Sequence, residues 1–404
     1  MLNRRQALLA TAGAPLGGFG AYGAETAKPV FEKALPAGVR DTAVLDALPG
    51  KKPLLKLSYR PPNYETPLSY FDELYTPNDA FFVRYHLSDI PDVDGAKWAL
   101  KLGGASLNSA QSISMEQLKQ MPAVEIAAVC QCSGNRRGLA DPHVPGVQWG
   151  YGAMGNARWK GVRLKDVLAK AGVKDDALEV VINGADGPVL DKTPDFIKSL
   201  PIGKAMDENT ILAYEMNGAP LPPLNGFPVR LIVPGWTATY WMKHVTSIDV
   251  VPKPYDGFWM KSAYRIPLGK FAILDRFISQ ETPQNTPITE MVVNSVITTP
   301  ADGATVQGAG LTVKGVAWDG GYGIASVDVS IDGGKSWHPT VLGPDAGRYS
   351  FRQWSLAVPD AKRGALTVMA RASNKAGQAQ VAEPIANPAG YHHNAMHRVS
   401  VTVA

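Results

Sequence analysis

The chain has 404 residues and only two cysteines, Cys130 and Cys132, both in the stretch AAVCQCSGNRRG at 127–138. A disulfide across a single intervening residue would be strained and would close almost no loop. No C-x-x-C-H is present for covalent haem. No second thiol pair is present for structural zinc or an iron–sulfur cluster. Two readings remain: one functional thiolate beside a bystander, or two small buried hydrophobes. A working thiolate attacks an electrophile or binds a metal, and the guanidinium groups of Arg136 and Arg137 next to it would favour that ionised form. Strand periodicity places both cysteines on one face, so spacing does not choose between them. Loop position and proximity to Arg137 favour Cys132.

The elements that must carry this loop are legible. AVEIAAV at 123–129 is a short apolar strand that Cys130 would end, and Gly134 and Gly138 mark tight backbone beyond it. LEVVING (178–184) and PVRLIVPG (228–235) read as further strands. Between them lie brief helical segments. SMEQLKQM (114–121) has Ser114 as its N-cap, and RLKDVLAKAG (163–172) is closed by Gly172. From 58 to 285 the texture is therefore mixed α+β with much loop. From about 290 to 404 it changes. SVDVSIDGGKSW turns Val327, Val329 and Ile331 to one side before a turn at Asp332-Gly333-Gly334. ALTVMARAS and HRVSVTVA alternate in the same way. About seven strands without helical period predict an immunoglobulin-like β-sandwich that lacks the intersheet cysteine pair. The polar, proline-containing stretch at 279–291 is the expected boundary, and 25–57 reads as an extended arm.

Length suggests two or three domains. Hydrophobic residues at 45% and charged residues at 19% fit a globular chain with a sizeable core. Residues 1–24 contain Arg4 and Arg5, a weakly apolar Ala/Gly stretch and small residues near Gly23 and Ala24. This resembles a twin-arginine export signal and predicts a periplasmic protein folded around a cofactor before export. The formal charge is +4, of which that segment supplies two and contains no acid, so the remainder is near neutral. That gives no charge-based case for nucleic-acid binding. No later apolar run is long enough to span a membrane.

CSGNRR (132–137), GVQWG (146–150) and ARWKGVRLKDVL (157–168) resemble the molybdenum–pterin domain of the sulfite oxidase family. So do FFVRYHLSDIP (81–91), NGFPVRLIVPG (225–235) and MKSAYRIP (260–267). VDVSIDGGKSW and NAMHRVSVTVA resemble that family's immunoglobulin-like dimerisation domain. The resemblance implies a molybdopterin-binding catalytic domain over 58–285 followed by a dimerisation domain over 290–404. It makes Cys132 the protein's molybdenum ligand, a soft sulfur beside the pterin's own two. It places Arg84, Arg137, Trp149 and Tyr264 in an oxyanion pocket, where arginines suit sulfite. His86 would hydrogen-bond the pterin or set the pocket's charge. Arg230 and Lys243 would hold the pterin's phosphate. Asn225 stands where many relatives carry histidine, so it keeps a donor but loses a titratable group.

The implied activity is oxidation of sulfite to sulfate, with electrons passed to an external c-type cytochrome, since no haem or flavin domain accompanies the core. A homodimer is implied, or a complex with a small cytochrome subunit. Two rivals are a molybdenum-dependent reductase of a sulfoxide or other oxyanion, and a non-redox secreted binding protein with inert cysteines.

Overall fold

The computed structural model describes residues 45–268, 281–307 and 310–404. The export-signal segment, most of the arm and part of the expected boundary stretch lie outside them. The architecture is α+β followed by an immunoglobulin-like sandwich, as the sequence predicts. Among the described residues the N-terminal region holds two five-stranded sheets and a small four-stranded one, and Arg265–Pro267 pairs with Asn285–Pro287 at the boundary. In the first large sheet Lys198–Pro201, Glu179–Gly184, Val245–Val251, Ala99–Gly103 and Gln111–Ser114 lie side by side. In the second, Ala219–Pro220, Ile211–Met216, Met154–Arg163 and Ala123–Gln131 follow one another, with Arg230–Ile232 also on Ile211–Met216. The small sheet brings Val83–Arg84 against Asn63–Glu65. Among the described residues no helix is long and apolar enough to cross a membrane.

Local signals act as their chemistry requires. Ser114 caps Met115–Lys119 in a reciprocal box. Its hydroxyl accepts from the Gln117 amide at 3.2 Å, and the Gln117 side chain accepts from the Ser114 amide at 2.9 Å. Gly172, at φ +75°, closes Leu164–Ala171, whose Leu164, Val167, Leu168 and Ala171 are buried.

The sandwich has nine strands among the described residues, four in one sheet and five in the other. Val327, Val329, Val368, Ala370, Val399, Val401 and Val403 fill its core, while Ile331 and Leu366 are only partly covered. The excess over seven strands lies in pieces such as His338–Pro339 and Val341–Leu342, two residues each and too short to show alternation.

The two halves share a core. Phe71, Val129 and Met154 of the first pack with Met291, Val296, Val316, Trp318 and Phe351 of the second. Ala123–Gln131, the cysteine strand, is the outer strand of its sheet. Its free edge meets the sandwich: the Val129 amide donates to the Tyr349 carbonyl at 2.8 Å. Trp318 Nε1 donates to Gln131 Oε1 at 2.5 Å. Those donors would otherwise be buried without acceptors.

Candidate active site

Cys132 sits one residue past the cysteine strand, its amide still bonded to the Ala153 carbonyl at 2.9 Å. The chain then turns through Arg136 at φ +70° into a short 3-10 segment, Arg137–Leu139. This loop is laced to 149–153. The Arg136 amide donates to Gly150 O at 2.7 Å, the Gly138 amide to Trp149 O at 2.9 Å, and Asn135 Oδ1 accepts from the Ala153 amide at 3.0 Å. Behind it, the buried Glu65 carboxyl accepts from the amides of Gly150 at 2.7 Å and Gly152 at 3.4 Å. Burial pushes this carboxyl up to about 7, against the pull of those amides.

The fold separates the two cysteines. Cys132 borders a cleft. Cys130 is fully buried with Sγ 3.3 Å from Arg230 Nη2, and burial pushes its thiol up to about 11 despite that cation. Only Cys132 is placed to meet a ligand.

The cleft holds about 530 Å³ of empty space, the open solvent at its mouth included. Arg84, His86, Tyr264, Asn225, Arg230 and Lys243 border it with Cys132. Phe82, Phe196 and Trp241 supply flat apolar walls. Arg84 is aimed by its strand partner, Nη1 donating to Asn63 Oδ1 at 3.1 Å. His86 stacks on Phe196 at 3.7 Å, and its Nε2 is hydrogen-bonded to the Tyr264 hydroxyl. Burial, and then the charges of Arg84, Lys243 and Lys198, hold that imidazole well below the histidine range, so it is neutral. Tyr264 has φ +58°, a left-handed conformation rare for a bulky residue and pinned here by the Ile288 amide on its carbonyl at 2.8 Å. Burial raises its phenol, while Arg84 and Arg137 oppose. Burial likewise pushes Lys243 down to about 8, with Asp186 opposing.

Seven of the nine expected site residues therefore share one cleft. Arg137 and Trp149 do not border it. Arg137 is drawn aside by carbonyls, with Nε on Ala389 O at 2.9 Å and Nη1 on Val147 O at 3.3 Å, although its charge still reaches Tyr264. Trp149 is fully buried under the loop, and its Nε1 has no partner among the described residues. Asn225 spends its amide on protein. Its Oδ1 accepts from Lys51 Nζ, and its Nδ2 donates to Phe82 O at 3.0 Å.

Sequence reasoning missed three chargeable residues that support these groups. Lys51 also donates to Asn78 O at 2.7 Å and Phe81 O at 3.0 Å, and burial pushes it down to about 7. Lys198 lies 5.3 Å from the Tyr264 ring and donates to Trp259 O at 2.7 Å; it too is pushed to about 7 by burial. Glu65 is the third. Each reads in sequence as a solvated charge. The one available signal was Glu65 on a short strand beside Tyr64.

No group of three His, Cys, Asp or Glu side chains gathers among the described residues to hold a metal. A metal at Cys132 must therefore arrive with ligands of its own. The walls suit an anionic, flat carrier. They offer three cations, no carboxylate and two buried donors without partners among the described residues, Arg230 Nε and Thr239 Oγ1. A molybdenum–pterin group fits this donor set, with Cys132 on the metal and Arg230, Lys243 and Thr239 on its anionic part.

A fold with this cleft belongs to the molybdopterin oxidoreductases. The family model "oxidoreductase molybdopterin binding domain" matches residues 86–259, and "Mo-co oxidoreductase dimerisation domain" matches 285–404. Mitochondrial sulfite oxidase of Homo sapiens is 36% identical over 372 residues, covering 88% of this chain and 67% of that protein. Sulfite oxidase of Gallus gallus is 33% identical, covering 87% and 78%. The crystal structure of the sulfane dehydrogenase SoxCD from Paracoccus pantotrophus aligns with TM-score 0.74 and 25% identity, covering 98% of this chain and 96% of that one. The chain belongs to the sulfite oxidase family.

Proposed function

We propose that this chain oxidises sulfite to sulfate at a molybdenum–pterin group held in the cleft and hands the electrons to a separate acceptor. The observation that carries this reading is a cleft with one accessible thiol, three cations and no carboxylate on its walls, in a chain related to sulfite oxidases. Sulfite takes up an oxygen from water and releases two protons and two electrons as it becomes sulfate. The bound group supplies the two-electron redox chemistry. The chain's own residues bind and orient. Arg84 offers a charge-assisted donor to the anion, and Arg137 adds positive potential from behind. The Tyr264 hydroxyl, held by a neutral His86, is a proton-bearing group that borders the cleft. Lys243 and Arg230 hold the cofactor's anionic part.

The acceptor in this proposal is a c-type cytochrome, and the setting is the periplasm. Support comes from the Arg4-Arg5 pattern at the N-terminus, which lies outside the described residues. The sandwich pairs subunits into a homodimer, or the chain pairs with a small cytochrome; the dimerisation-domain match supports the first. Light scattering on the chain without partners distinguishes them.

The test is metal analysis of matured protein, followed by turnover with sulfite and cytochrome c. Parallel arms use methionine sulfoxide with a reduced dye and a sulfane-sulfur donor, the latter because of the full-length likeness to a sulfane dehydrogenase. Molybdenum with sulfite-dependent cytochrome reduction is the expected result. Absence of molybdenum from matured protein, or turnover only in another arm, overturns it.

A further inference from the structure

Three successive residues of the sandwich hold Arg137, the arginine behind the cleft. The Ala389 carbonyl accepts from Arg137 Nε at 2.9 Å. Gly390 leaves room for it: a Cβ there would stand 2.8 Å from Arg137 Cγ. The Tyr391 ring lies 5.0 Å from the Arg137 guanidinium, a cation–π contact. The same ring stacks on Tyr264, centroids 5.8 Å apart and planes 10° apart. Tyr391 is itself fixed, since Asn387 Oδ1 accepts from its amide at 3.1 Å and Asn387 Nδ2 donates to its carbonyl at 2.5 Å. The catalytic region completes the cradle with two more close approaches, because a Cβ on Gly134 or Gly146 would stand 2.6 Å from Arg137 Nη1. Burial raises the Tyr391 phenol, and the charges that act on it include Tyr264, Arg137, Cys132 and Arg84. The ring therefore lies within the electrostatic reach of these four groups.

We propose that Tyr391, carried by the sandwich, is a positioning residue for oxyanion binding: its ring sets the placement of Arg137 relative to Tyr264, and so tunes affinity for sulfite and its product. This rests on the sulfite-oxidising reading above. Neither partner comes to Tyr391 through its own domain's strands. The C-terminal half thus enters the substrate site as a wall rather than only as a subunit contact.

The experiment uses the molybdenum-loaded full chain. Tyr391→Leu removes the π face at similar bulk. Its KM for sulfite should rise about three- to thirty-fold, the span of one partly desolvated cation–π contact. Its turnover number should change less than three-fold, and calorimetric affinity for sulfate should fall in parallel. Tyr391→Phe keeps the ring and should restore both affinities to within about two-fold of wild type. In an Arg137→Gln background, Tyr391→Leu should add little, because the group it positions is gone. Gly390→Ala is a second arm that keeps the ring: its Cβ would stand 2.5 Å from Val144 Cγ2 and 2.8 Å from Arg137 Cγ, at a backbone with φ +60°, so it disturbs the seat of Arg137 and should raise KM as well; it stands in if Tyr391→Leu does not fold. Wild-type enzyme without sulfite turnover would refute the functional reading. Wild-type turnover with unchanged sulfite KM and sulfate affinity in the folded variants would overturn this inference alone. Full additivity with Arg137→Gln would overturn it too, as would a Phe variant as impaired as the Leu variant.

Discussion

Replacing Glu65 by glutamine should make the protein's stability less sensitive to pH. Glu65 is 6% exposed and faces backbone amides, with no cation bonded to it among the described residues. Two effects oppose each other. Amide donors favour the carboxylate and burial favours the acid; burial prevails, raising the group from 4.5 to about 7. Between those values the folded chain binds more protons than the unfolded chain, so stability falls as pH rises. The loss amounts to about 3 kcal/mol, fully present as stability below pH 4.5 and gone above pH 7. Glutamine matches the protonated acid in shape, keeps one acceptor oxygen for the closer Gly150 amide, and does not titrate. Guanidinium unfolding of wild type and Glu65→Gln, followed by tryptophan fluorescence at pH 4.5 and pH 8, gives the double difference. Wild type should lose about 3 kcal/mol more than the variant over that span. A difference independent of pH would refute the reasoning. So would a wild type that gains on the variant at pH 8, since the amide donors would then outweigh burial.

Cys132→Ser should abolish sulfite oxidation while Cys130→Ser retains most of it, compared at equal molybdenum content, because only Cys132 borders the cleft. Arg84→Ala should raise the KM for sulfite about ten- to hundred-fold in initial-rate kinetics, the effect of losing one charge-assisted contact, and Arg137→Ala should raise it less, since Arg137 stands behind the cleft and acts through its charge. Arg136→Met should cost about 2–4 kcal/mol in chemical unfolding with sulfite KM little changed. Its guanidinium donates to Ala395 O at 2.8 Å and Ser295 O at 2.6 Å, so its loss strands two buried acceptors across the domain junction.

Local chemistry was easiest to read from sequence. Ser114 with Gln117, Gly172 after a helical stretch and the alternation around Val327, Val368 and Val399 each declare their element within a few residues. The cleft was legible because its residues lie in compact motifs such as CSGNRR and NGFPVR. What stayed hidden depends on contacts between distant parts of the chain. Lys51 meets Asn225 across 174 residues, and Arg137 meets Ala389 across 252. Nothing near Lys51 or Lys198 marks them as buried, and Glu65 has only its place beside Tyr64 on a short strand. The choice between Arg136 and Arg137 was equally closed, since the two guanidinium groups part at the left-handed turn: Arg136 reaches Ala395 O and Ser295 O, and Arg137 reaches Ala389 O behind the cleft.

The meeting of Val129 with Tyr349 bears on how such a chain can change over generations. A boundary drawn near residue 285 looks like a seam along which genes might exchange modules, yet the hydrogen bonds do not respect it. Exchanging the sandwich for a stranger would leave the Val129 amide, both Arg136 amino groups and Arg137 Nε without their present acceptors. It would also uncover the face around Phe71 and Met154. The two halves are therefore expected to be inherited as a pair, and a chimera between distant relatives to fold only if 347–351 and 387–395 travel with the cysteine strand they complete.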